Sequence, residues 1–503
     1  MVVKLEGFTR LEKVLDFAWQ SKEDMDCIWW QGEWWPWKRL RALADDCEAK
    51  LREAGFSRGQ RIAVLLPNSP MLLALTIACW RLGGAVATLN VRTGVANLTD
   101  TIMMLDVHAV FVTEEKFESS LEVAKTADMP VVSTPLDTPL GSWKGRVGKP
   151  DSDETAIIFS TSGTSGKPKA VPCRHSNLIG NIMPVPAHVP GILEDDSIFL
   201  DVLPNFHTFG FNTATWMPLT NAVRVALVPS FVPVSKTIDA IKAAGVNCII
   251  AVPTVMAFML GALEKTNDHL SGIKLVITGG DRLNTDMDQR CRKYLGVGIL
   301  EGYGLTECSP VVAVGHSADT TKLGTVGVIY KNYDVKITDM SGNPLDIHDE
   351  GVMWLRGPAV VSGYFRDEVN TSERFHDGWF NTGDVVRIDG DGYVKIVDRA
   401  TDIIIVSGFN VYPQEVEAVL RKHPAVKEAV AVGEKNGVAG ELVKAFIILN
   451  EGAAPTAREL MDYCKERLAH YKVPRKIAFV TEFPLSPAGK ILRRELRKVK
   501  IGK

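Results

Sequence analysis

The chain has 503 residues, of which 46% are hydrophobic and 23% are charged, with 57 Lys and Arg against 60 Asp and Glu. This length exceeds one ordinary domain, and the composition is that of a globular protein with large cores. A net charge of -3 gives the whole chain no electrostatic reason to bind nucleic acid, and eight scattered cysteines argue against a disulfide scaffold. No apolar leader opens the sequence, and the uncharged stretches 62–80 and 243–263 are interrupted by Pro, Gly and Asn. We therefore expect a cytoplasmic protein without an integral membrane segment.

The first elements are aromatic, and those that follow alternate between strand and helix. Five of the eleven tryptophans lie at positions 29–37, where residues 31–33 have the composition of a turn. We expect an aromatic hairpin packed on the core, rather than an aromatic cage for a ligand. From Arg61 to about residue 300, apolar strand-like segments alternate with helical patterns, which predicts mainly parallel α/β sheets.

The pattern changes after residue 324. Short strands separated by Gly and Asp turns come first. The last hundred residues predict a helix, two strands and another helix that begins with a capping box of Thr456 and Glu459. We expect two domains: a large one over residues 1–400 and a small α+β domain over residues 401–503.

A glycine-rich loop follows the predicted strand at 156–159. Its glycines expose backbone N–H groups, its hydroxyls add donors and its lysines add charge, a combination that binds phosphate. The residues are Thr161, Ser162, Gly163, Thr164, Ser165, Gly166, Lys167 and Lys169. The spacing is not that of a Walker A loop, because two residues separate the glycines and Pro168 follows Lys167. A solvated linker has a similar composition, so the loop alone leaves both interpretations open.

A second segment, at 301–307, reads Glu-Gly-Tyr-Gly-Leu-Thr-Glu. Its glycines would let a flat ligand lie against the ring of Tyr303. Thr306 offers a hydroxyl for phosphate, and Glu307 offers a carboxylate suited to Mg²⁺. Taken by itself, a glycine-tyrosine-glycine turn is also compatible with a purely structural role.

A third pair of residues, Asp384 and Arg399, lies on two predicted strands joined by a turn at 389–392. Folding of this hairpin would bring the two side chains together. A carboxylate and a guanidinium at one place can accept from and donate to sugar hydroxyls. The alternative is a simple surface salt bridge.

Together with further segments, these motifs resemble those of the adenylate-forming superfamily of acyl-CoA synthetases, nonribosomal-peptide adenylation domains and luciferases. The similarity extends from about residue 25 to the C-terminus, and the motifs follow the family order at 158–169, 303–307, 379–384, 398–399, 408–417 and 487–490. It implies an α/β protein, with a large N-terminal domain of stacked α/β subdomains plus a β-barrel and a small mobile α+β C-terminal domain. It also implies a two-step reaction: a carboxylate attacks the α-phosphorus of MgATP and releases pyrophosphate, and the thiol of CoA then displaces AMP.

The resemblance implies a role for each motif residue. Residues 161–169 would hold the β- and γ-phosphates, and Tyr303 would stack on adenine. Thr306 would contact the α-phosphate and Glu307 would bind Mg²⁺. The adenine and ribose would also meet Gly279, Gly280, Asp281, Asp384 and Arg399. Lys490 would bridge the incoming carboxylate and an α-phosphate oxygen.

Three positions in the matched motifs refine this expectation. Thr401 occupies the interdomain hinge, where the family commonly has Asp or Lys. Asp281 stands where many fatty-acid members have a small residue. Gly408 matches the glycine that lets the pantetheine thiol approach, which favours CoA as the acceptor.

The acid is less well defined than the chemistry. Residues 203–210 resemble the gate of acyl-CoA synthetases, with His207 at the carboxylate end, although a lone histidine is also typical of a packed core. Candidate walls of the acyl pocket are Phe209, Phe211 and Trp216. We expect a medium- or long-chain fatty acid and a monomer or homodimer. The alternatives are an aryl or dicarboxylic acid, an enzyme that loads an acyl carrier protein, and a silent acyl- or nucleotide-binding relative.

Overall fold

The computed structural model of the protein describes residues 5–90, 95–113, 129–161, 169–281, 283, 286–406, 409–436, 440–485 and 491–500. The chain forms two compact units. The larger consists of Met1–Asp334, Leu355–Phe380 and Asp391–Val394, and the smaller of Val335–Trp354, Asn381–Gly390 and Lys395–Lys503. The predicted α/β class, with a large body and a separate smaller C-terminal unit, is confirmed. The segments between residues 335 and 394 alternate between the two units. The sequence instead predicts a single domain boundary at residue 400. That boundary and the mobility of the C-terminal domain stay predictions.

One mixed sheet of the larger unit has parallel strands at its centre and antiparallel strands at both edges. Its described strands, in spatial order, are Val328–Ile329, Val311–Val314, Ile299–Gly304, Leu275–Gly279, Cys248–Ala251, Ile198–Asp201, Arg224–Leu227, Asp26–Trp30 and Glu33–Pro36. The hairpin at one edge turns at Gln31 and Gly32, and Trp30, Trp35 and Trp37 are buried. The predicted aromatic hairpin packed on the core is therefore confirmed.

The other sheet of this unit is parallel except for its last strand. Its described strands, in spatial order, are Val131–Ser133, Val110–Val112, Arg61–Leu65, Ala85–Thr88, Thr155–Thr161 and Lys169–Arg174. Arg61–Leu65 is buried along its whole length, as expected of a central parallel strand covered on both faces.

Helices cover these sheets. The described α-helices of the larger unit are Leu11–Trp19, Trp37–Glu53, Pro70–Arg81, Val95–Leu105, His175–Ile182, Val185–His188, Met217–Thr220, Val234–Ala244, Pro253–Thr266, Asp286–Leu295 and Glu368–Arg374. Phe209–Trp216 is a π-helix and Thr306–Cys308 a short 3₁₀ helix. Pro70–Arg81 is buried along nearly its whole length, because its apolar residues surround the helix. Among the described residues, no helix combines the length and apolarity needed to cross a membrane.

The region 334–399 supplies strands to both units: Asp334–Thr338, Pro344–Leu345, Gly351–Arg356, Phe375–His376, Trp379–Ile388 and Val394–Arg399. The C-terminal part of the smaller unit has a sheet with strands in the order Phe409–Val411, Ile404–Val406, Gly440–Leu449 and Val426–Asn436, with Lys476–Phe479 beside Gly440–Leu449. Its described helices are Pro413–Arg421, Ala457–Lys465, Arg493–Lys498 and the 3₁₀ turn His470–Lys472. The predicted capping box is confirmed, since Thr456 and Glu459 bond each other's backbone N–H.

Candidate functional site

Two parallel strands of the larger unit end side by side at glycines. Leu275–Gly279 pairs with Ile299–Gly304, and Gly279 lies opposite Gly302. A Cβ atom at Gly279 would lie 2.9 Å from the carbonyl oxygen of Gly302 and 3.5 Å from Cζ of Phe209, so a side chain there would collide with the backbone. Ligands of open α/β sheets bind at the carboxyl ends of such strands. The bare backbone next to Tyr303, with Gly280 and Asp281 following in an exposed turn, suits a flat ligand.

A carboxylate, a phenol and a lysine lie close together, and the carboxylate belongs to the segment that follows Tyr303. The hydroxyl of Tyr364 donates a hydrogen bond of 2.7 Å to Oε1 of Glu307. The Nζ atom of Lys169 lies 4.8 Å from the centre of the Tyr364 ring. Burial, reinforced by the nearby Glu307 charge, raises the pKa of Tyr364 well above its ordinary value, so the phenol stays a hydrogen-bond donor. The structure thus brings together Glu307 and Lys169, two predicted site residues, through a tyrosine that no motif in the sequence singled out.

The backbone that carries Thr306 and Glu307 is held by side chains from elsewhere in the unit. Nδ2 of Asn181 donates to the carbonyl oxygens of Cys308 and Val311, and the hydroxyl of Tyr333 bonds the same two oxygens. Nδ2 of Asn212 donates to the carbonyl oxygen of Ser309 at 2.7 Å. Buried amides that satisfy carbonyls in this way fix the turn, so both side chains project from a rigid base.

The glycine-rich loop joins two strands of a hairpin. Thr161 ends one strand and pairs with Lys169, which begins the next. Between them, Ser162, Gly163, Thr164, Ser165, Gly166 and Lys167 lie outside the described residues. The hairpin positions both ends of the loop, and the phosphate-binding assignment of the loop stays a prediction.

A narrow, mostly apolar cavity of about 30 Å³ lies beside the glycine strand ends. It is lined by Asn181, Ile182, Val185, Val189, Ile192, Phe209, Asn212, Thr213, Met217, Ile250, Ile277, Val311, Val314 and Tyr330. Phe209 thus borders both the cavity and Gly279. Phe211 and Trp216, the other predicted walls, instead contact Trp80 in a buried aromatic cluster.

The loop that carries His207 is tied to a buried carboxylate, Asp201. Its side chain accepts hydrogen bonds from Asn68 Nδ2 at 2.9 Å, Asn205 Nδ2 at 3.1 Å and Thr215 Oγ1 at 2.7 Å. Complete burial raises the pKa of Asp201 to about 7, because these neutral donors only partly offset the loss of water. The imidazole of His207 is exposed, and its Nδ1 accepts from the backbone N–H of Phe209. The network joins a strand end, the loop and the π-helix, and no pattern in the sequence indicates it.

In the smaller unit, Asp384 and Arg399 form an ion pair with an Nε–Oδ1 distance of 2.7 Å. The Asp384 side chain is 2% exposed and that of Arg399 is 46% exposed, so the carboxylate is buried while the guanidinium reaches solvent. The backbone N–H of Asp384 donates to Thr382 Oγ1. The predicted hairpin brings the two side chains together, which fits either a sugar-binding pair or a structural salt bridge.

The last helix is anchored rather than solvated. Nη1 of Arg493 donates to Glu417 Oε1 at 2.5 Å, and Nη2 of Arg497 donates to Asp402 at 2.7 Å and to the carbonyl oxygen of Thr401 at 3.1 Å. The high positive charge of the tail at 490–503 predicts a helix face that is mainly solvated, and for these two arginines that prediction is wrong. Thr401, the predicted hinge residue, is held by this helix within the smaller unit. Gly408 and Lys490 lie outside the described residues.

No group of three or more His, Cys, Asp or Glu side chains that could hold a metal occurs in the described part of the chain. Glu307 is therefore a single carboxylate, with Oε1 bonded to Tyr364. One carboxylate suits Mg²⁺, which is commonly bound through one or two carboxylates together with substrate phosphates and water. All eight cysteines are buried free thiols.

Residues 15–365 match the family described as AMP-binding enzyme, and residues 415–490 match the AMP-binding enzyme C-terminal domain. A long-chain-fatty-acid–CoA ligase from Yersinia pestis is 35% identical over 70% of this chain, and the match spans 64% of that ligase. A feruloyl-CoA synthase from an Amycolatopsis species is 32% identical, with 92% of each chain covered.

Solved structures of similar fold cover nearly the whole chain. ATP-bound MatB from Rhodopseudomonas palustris has a TM-score of 0.86 and 26% identity, with 97% of this chain and 98% of that chain covered. The o-succinylbenzoate CoA synthetase MenE from Bacillus subtilis, in complex with its acyl-adenylate intermediate, has a TM-score of 0.83 and 26% identity. The coverage there is 97% of this chain and 99% of that chain.

Proposed function

Because the chain belongs to the AMP-binding enzyme family, in the acyl-CoA synthetase branch of the adenylate-forming superfamily, we propose that it joins an apolar carboxylic acid to CoA. In the first step a carboxylate oxygen bonds the α-phosphorus of ATP and the bond to pyrophosphate breaks. In the second step the CoA sulfur bonds the acyl carbon, and AMP leaves with the electrons of the cleaved C–O bond. The observation that carries the proposal is the Glu307–Tyr364–Lys169 group beside the glycine strand ends.

The larger unit supports the nucleotide half of this proposal. Tyr303 would stack on adenine above the bare backbone of Gly279 and Gly280, and Thr306 would bond the α-phosphate from its braced turn. Lys169 and the adjoining loop would neutralise the departing pyrophosphate. Pre-placed donors and cations of this kind stabilise charge that develops on the phosphates during in-line attack.

Glu307 would hold Mg²⁺, and the residues present fit that ion. Tyr364 bonds one carboxylate oxygen and orients the group, as outer-shell hydrogen bonds do for metal ligands. The ion, when bound, would neutralise phosphate charge. Tyr364 would keep the carboxylate in a single orientation with and without the nucleotide.

The smaller unit would contribute the ribose contacts and the second step. Asp384 and Arg399 already form a close pair of acceptor and donor suited to two vicinal hydroxyls. Lys490 would bridge the carboxylate and the α-phosphate, Gly408 would admit the thiol and Thr401 would serve as the hinge. These three assignments depend on the family resemblance alone.

The acid is proposed as an apolar one, because the cavity next to Phe209 is lined mainly by aliphatic side chains. The apolar character of that lining suits a medium- or long-chain fatty acid, and it suits an aryl acid equally. His207, exposed in the loop that leads to Phe209, would lie at the carboxylate end.

A panel of acids scored for pyrophosphate release, with and without CoA, tests this function. We expect release with apolar acids and formation of an acyl-CoA when CoA is present. Acyl-adenylate that accumulates with CoA but is consumed by a carrier protein would favour the loading enzyme. Absence of release with every fatty, aryl and dicarboxylic acid would favour a silent relative.

A further inference from the structure

Two polar groups in the apolar cavity have no protein partner among the described residues. Oδ1 of Asn212 is buried and accepts no hydrogen bond from them. The hydroxyl of Tyr330 likewise makes no hydrogen bond to the part of the chain that the structure describes, and its side chain is almost fully buried. Both residues line the cavity. Buried polar atoms are nearly always hydrogen-bonded, so the unpaired Oδ1 of Asn212 requires an explanation, and the Tyr330 hydroxyl on the same cavity bears on it.

The orientation of Asn212 is set by its other end. Nδ2 donates to the carbonyl oxygen of Ser309 at 2.7 Å and to that of Leu178 at 3.5 Å. Only the amide nitrogen can donate to carbonyls, so Oδ1 is the atom left over. The remaining polar side chains of the lining are satisfied: Asn181 bonds the 308–311 turn, and Thr213 bonds the carbonyl oxygen of Phe209.

Tyr330 is held firmly in place although its hydroxyl has no described partner. Its backbone N–H donates to the carbonyl oxygen of Val312 at 2.9 Å, and its ring packs edge-on against His188 with 4.7 Å between ring centres. His188 is itself fixed by a 2.8 Å bond from Nε2 to the carbonyl oxygen of Val314. Burial raises the pKa of Tyr330, so its hydroxyl remains a donor at neutral pH.

We infer that the acid activated by this protein carries a hydroxyl group on its apolar part, which donates to Oδ1 of Asn212 and accepts from the hydroxyl of Tyr330. The inference rests on the proposed function, since it takes the cavity as the part of the acyl site that receives the hydroxyl group. The cavity offers one acceptor, Oδ1 of Asn212, and one donor, the hydroxyl of Tyr330. A hydroxyl is a small group that can donate to the first and accept from the second at the same time. A plain hydrocarbon would leave both protein groups unpaired, and sites built to bond a substrate hydroxyl reject analogues that lack it.

Matched pairs of acids test the inference on the unmodified protein. One pair is 4-hydroxycinnamic and cinnamic acid, and the other is 10-hydroxydecanoic and decanoic acid, with pyrophosphate release as the readout. We expect kcat/KM for the hydroxylated member of one pair to exceed that of its partner by about 10-fold or more. The pair that responds identifies the hydroxyl as phenolic or aliphatic. Equal values in both pairs would overturn the inference and indicate that the two groups bind an ordered water, for which the cavity is large enough.

Tyr330→Phe links any preference to this cavity, because it removes only an oxygen without a described protein partner. We expect the ratio of kcat/KM values within the responding pair to fall by about 10-fold. Tyr333→Phe is the matched control: its hydroxyl bonds Cys308 and Val311, so it should lower the melting temperature and leave the ratio unchanged. An unchanged ratio in Tyr330→Phe would overturn the inference. Absence of pyrophosphate release with all four acids and the wider panel would instead overturn the proposed function, and the inference with it.

Discussion

The hydroxyl of Tyr364 donates a 2.7 Å hydrogen bond to Oε1 of Glu307, and the same ring lies 4.8 Å from Nζ of Lys169. One side chain thus contacts both the proposed metal-binding carboxylate and the lysine that follows the glycine-rich loop. Tyr364 contributes no group that the reaction consumes. In the function proposed above, Tyr364 would act by positioning these two charged groups.

Tyr364→Phe should therefore weaken Mg²⁺ use without abolishing the reaction. Loss of an outer-shell bond to a metal ligand typically costs about 10- to 100-fold in metal affinity or activity. Pyrophosphate release measured against Mg²⁺ concentration should shift to higher concentration by roughly that factor. Tyr463→Phe, a change on a helix of the smaller unit, is the control. A Mg²⁺ dependence equal to that of the unmodified protein would contradict the positioning role.

Lys490→Ala should nearly abolish acyl-adenylate formation while sparing the reaction of preformed acyl-adenylate with CoA. The reason is that its ammonium would neutralise charge between carboxylate and α-phosphate only in the first step. The two half-reactions are measured separately, with Lys465→Ala, an exposed lysine paired with Asp462, as the control. Adenylation at the unmodified rate would remove Lys490 from the proposal.

Asp384→Ala distinguishes ribose binding from a structural salt bridge. If the carboxylate accepts from ribose hydroxyls, KM for ATP should rise by about 10-fold or more, and the preference for ATP over 2′-deoxy-ATP should shrink. If the pair is only a structural salt bridge, the variant should have a lower melting temperature, while the KM for ATP and the preference for ATP over 2′-deoxy-ATP should not change.

Asp201→Asn should flatten the dependence of stability on pH. The pKa of Asp201 is raised from 3.8 to about 7 in the folded protein, so the folded state holds a proton that the unfolded chain releases above pH 4. The contribution of Asp201 to the free energy of unfolding should therefore be largest below pH 4. It should fall by on the order of 4 kcal/mol as the pH rises to 7.

An asparagine amide mimics the protonated carboxyl at every pH, so the melting temperature of the variant should exceed that of the parent increasingly from pH 5 to pH 8. Asp24→Asn, an exposed carboxylate paired with Lys38, is the control and should leave the profile unchanged. A parallel shift of the whole profile in Asp201→Asn would mean that the group does not titrate in this range.

Arg493→Ala should destabilise the smaller unit, by about 3 kcal/mol, because it removes the closer of two arginine partners from the buried Glu417 and leaves only Arg421, at 3.9 Å. Arg494→Ala removes a more exposed charge from the same helix and should cost less than about 1 kcal/mol. Denaturant melts of the two variants measure the difference. Equal stability of the two variants would indicate that the Arg493–Glu417 ion pair contributes no more than an exposed charge.

Local features were predictable from the sequence because their partners are close in the chain. The aromatic hairpin, the capping box of Thr456 and Glu459, and the pairing of Asp384 with Arg399 each depend on one turn. The alternation of strands and helices could also be predicted from the sequence, since apolar periodicity indicates which face of each element is buried. The residue types of the glycine-rich loop and of the 301–307 segment were enough to indicate the chemistry that each could perform.

Only the tertiary structure decided which distant groups meet. Tyr364 is 57 residues from Glu307, and Asn68 is 133 residues from Asp201. In the sequence these look like ordinary loop residues, because nothing local distinguishes a solvated side chain from a buried one. For the same reason the sequence predicts a solvated Arg493, whereas the structure pairs it with the buried Glu417. The sequence alone determined the chemistry available to this protein, from residue types at short spacing. Packing determined which groups lose water, and therefore which are oriented, shifted in pKa or left without a partner among the described residues.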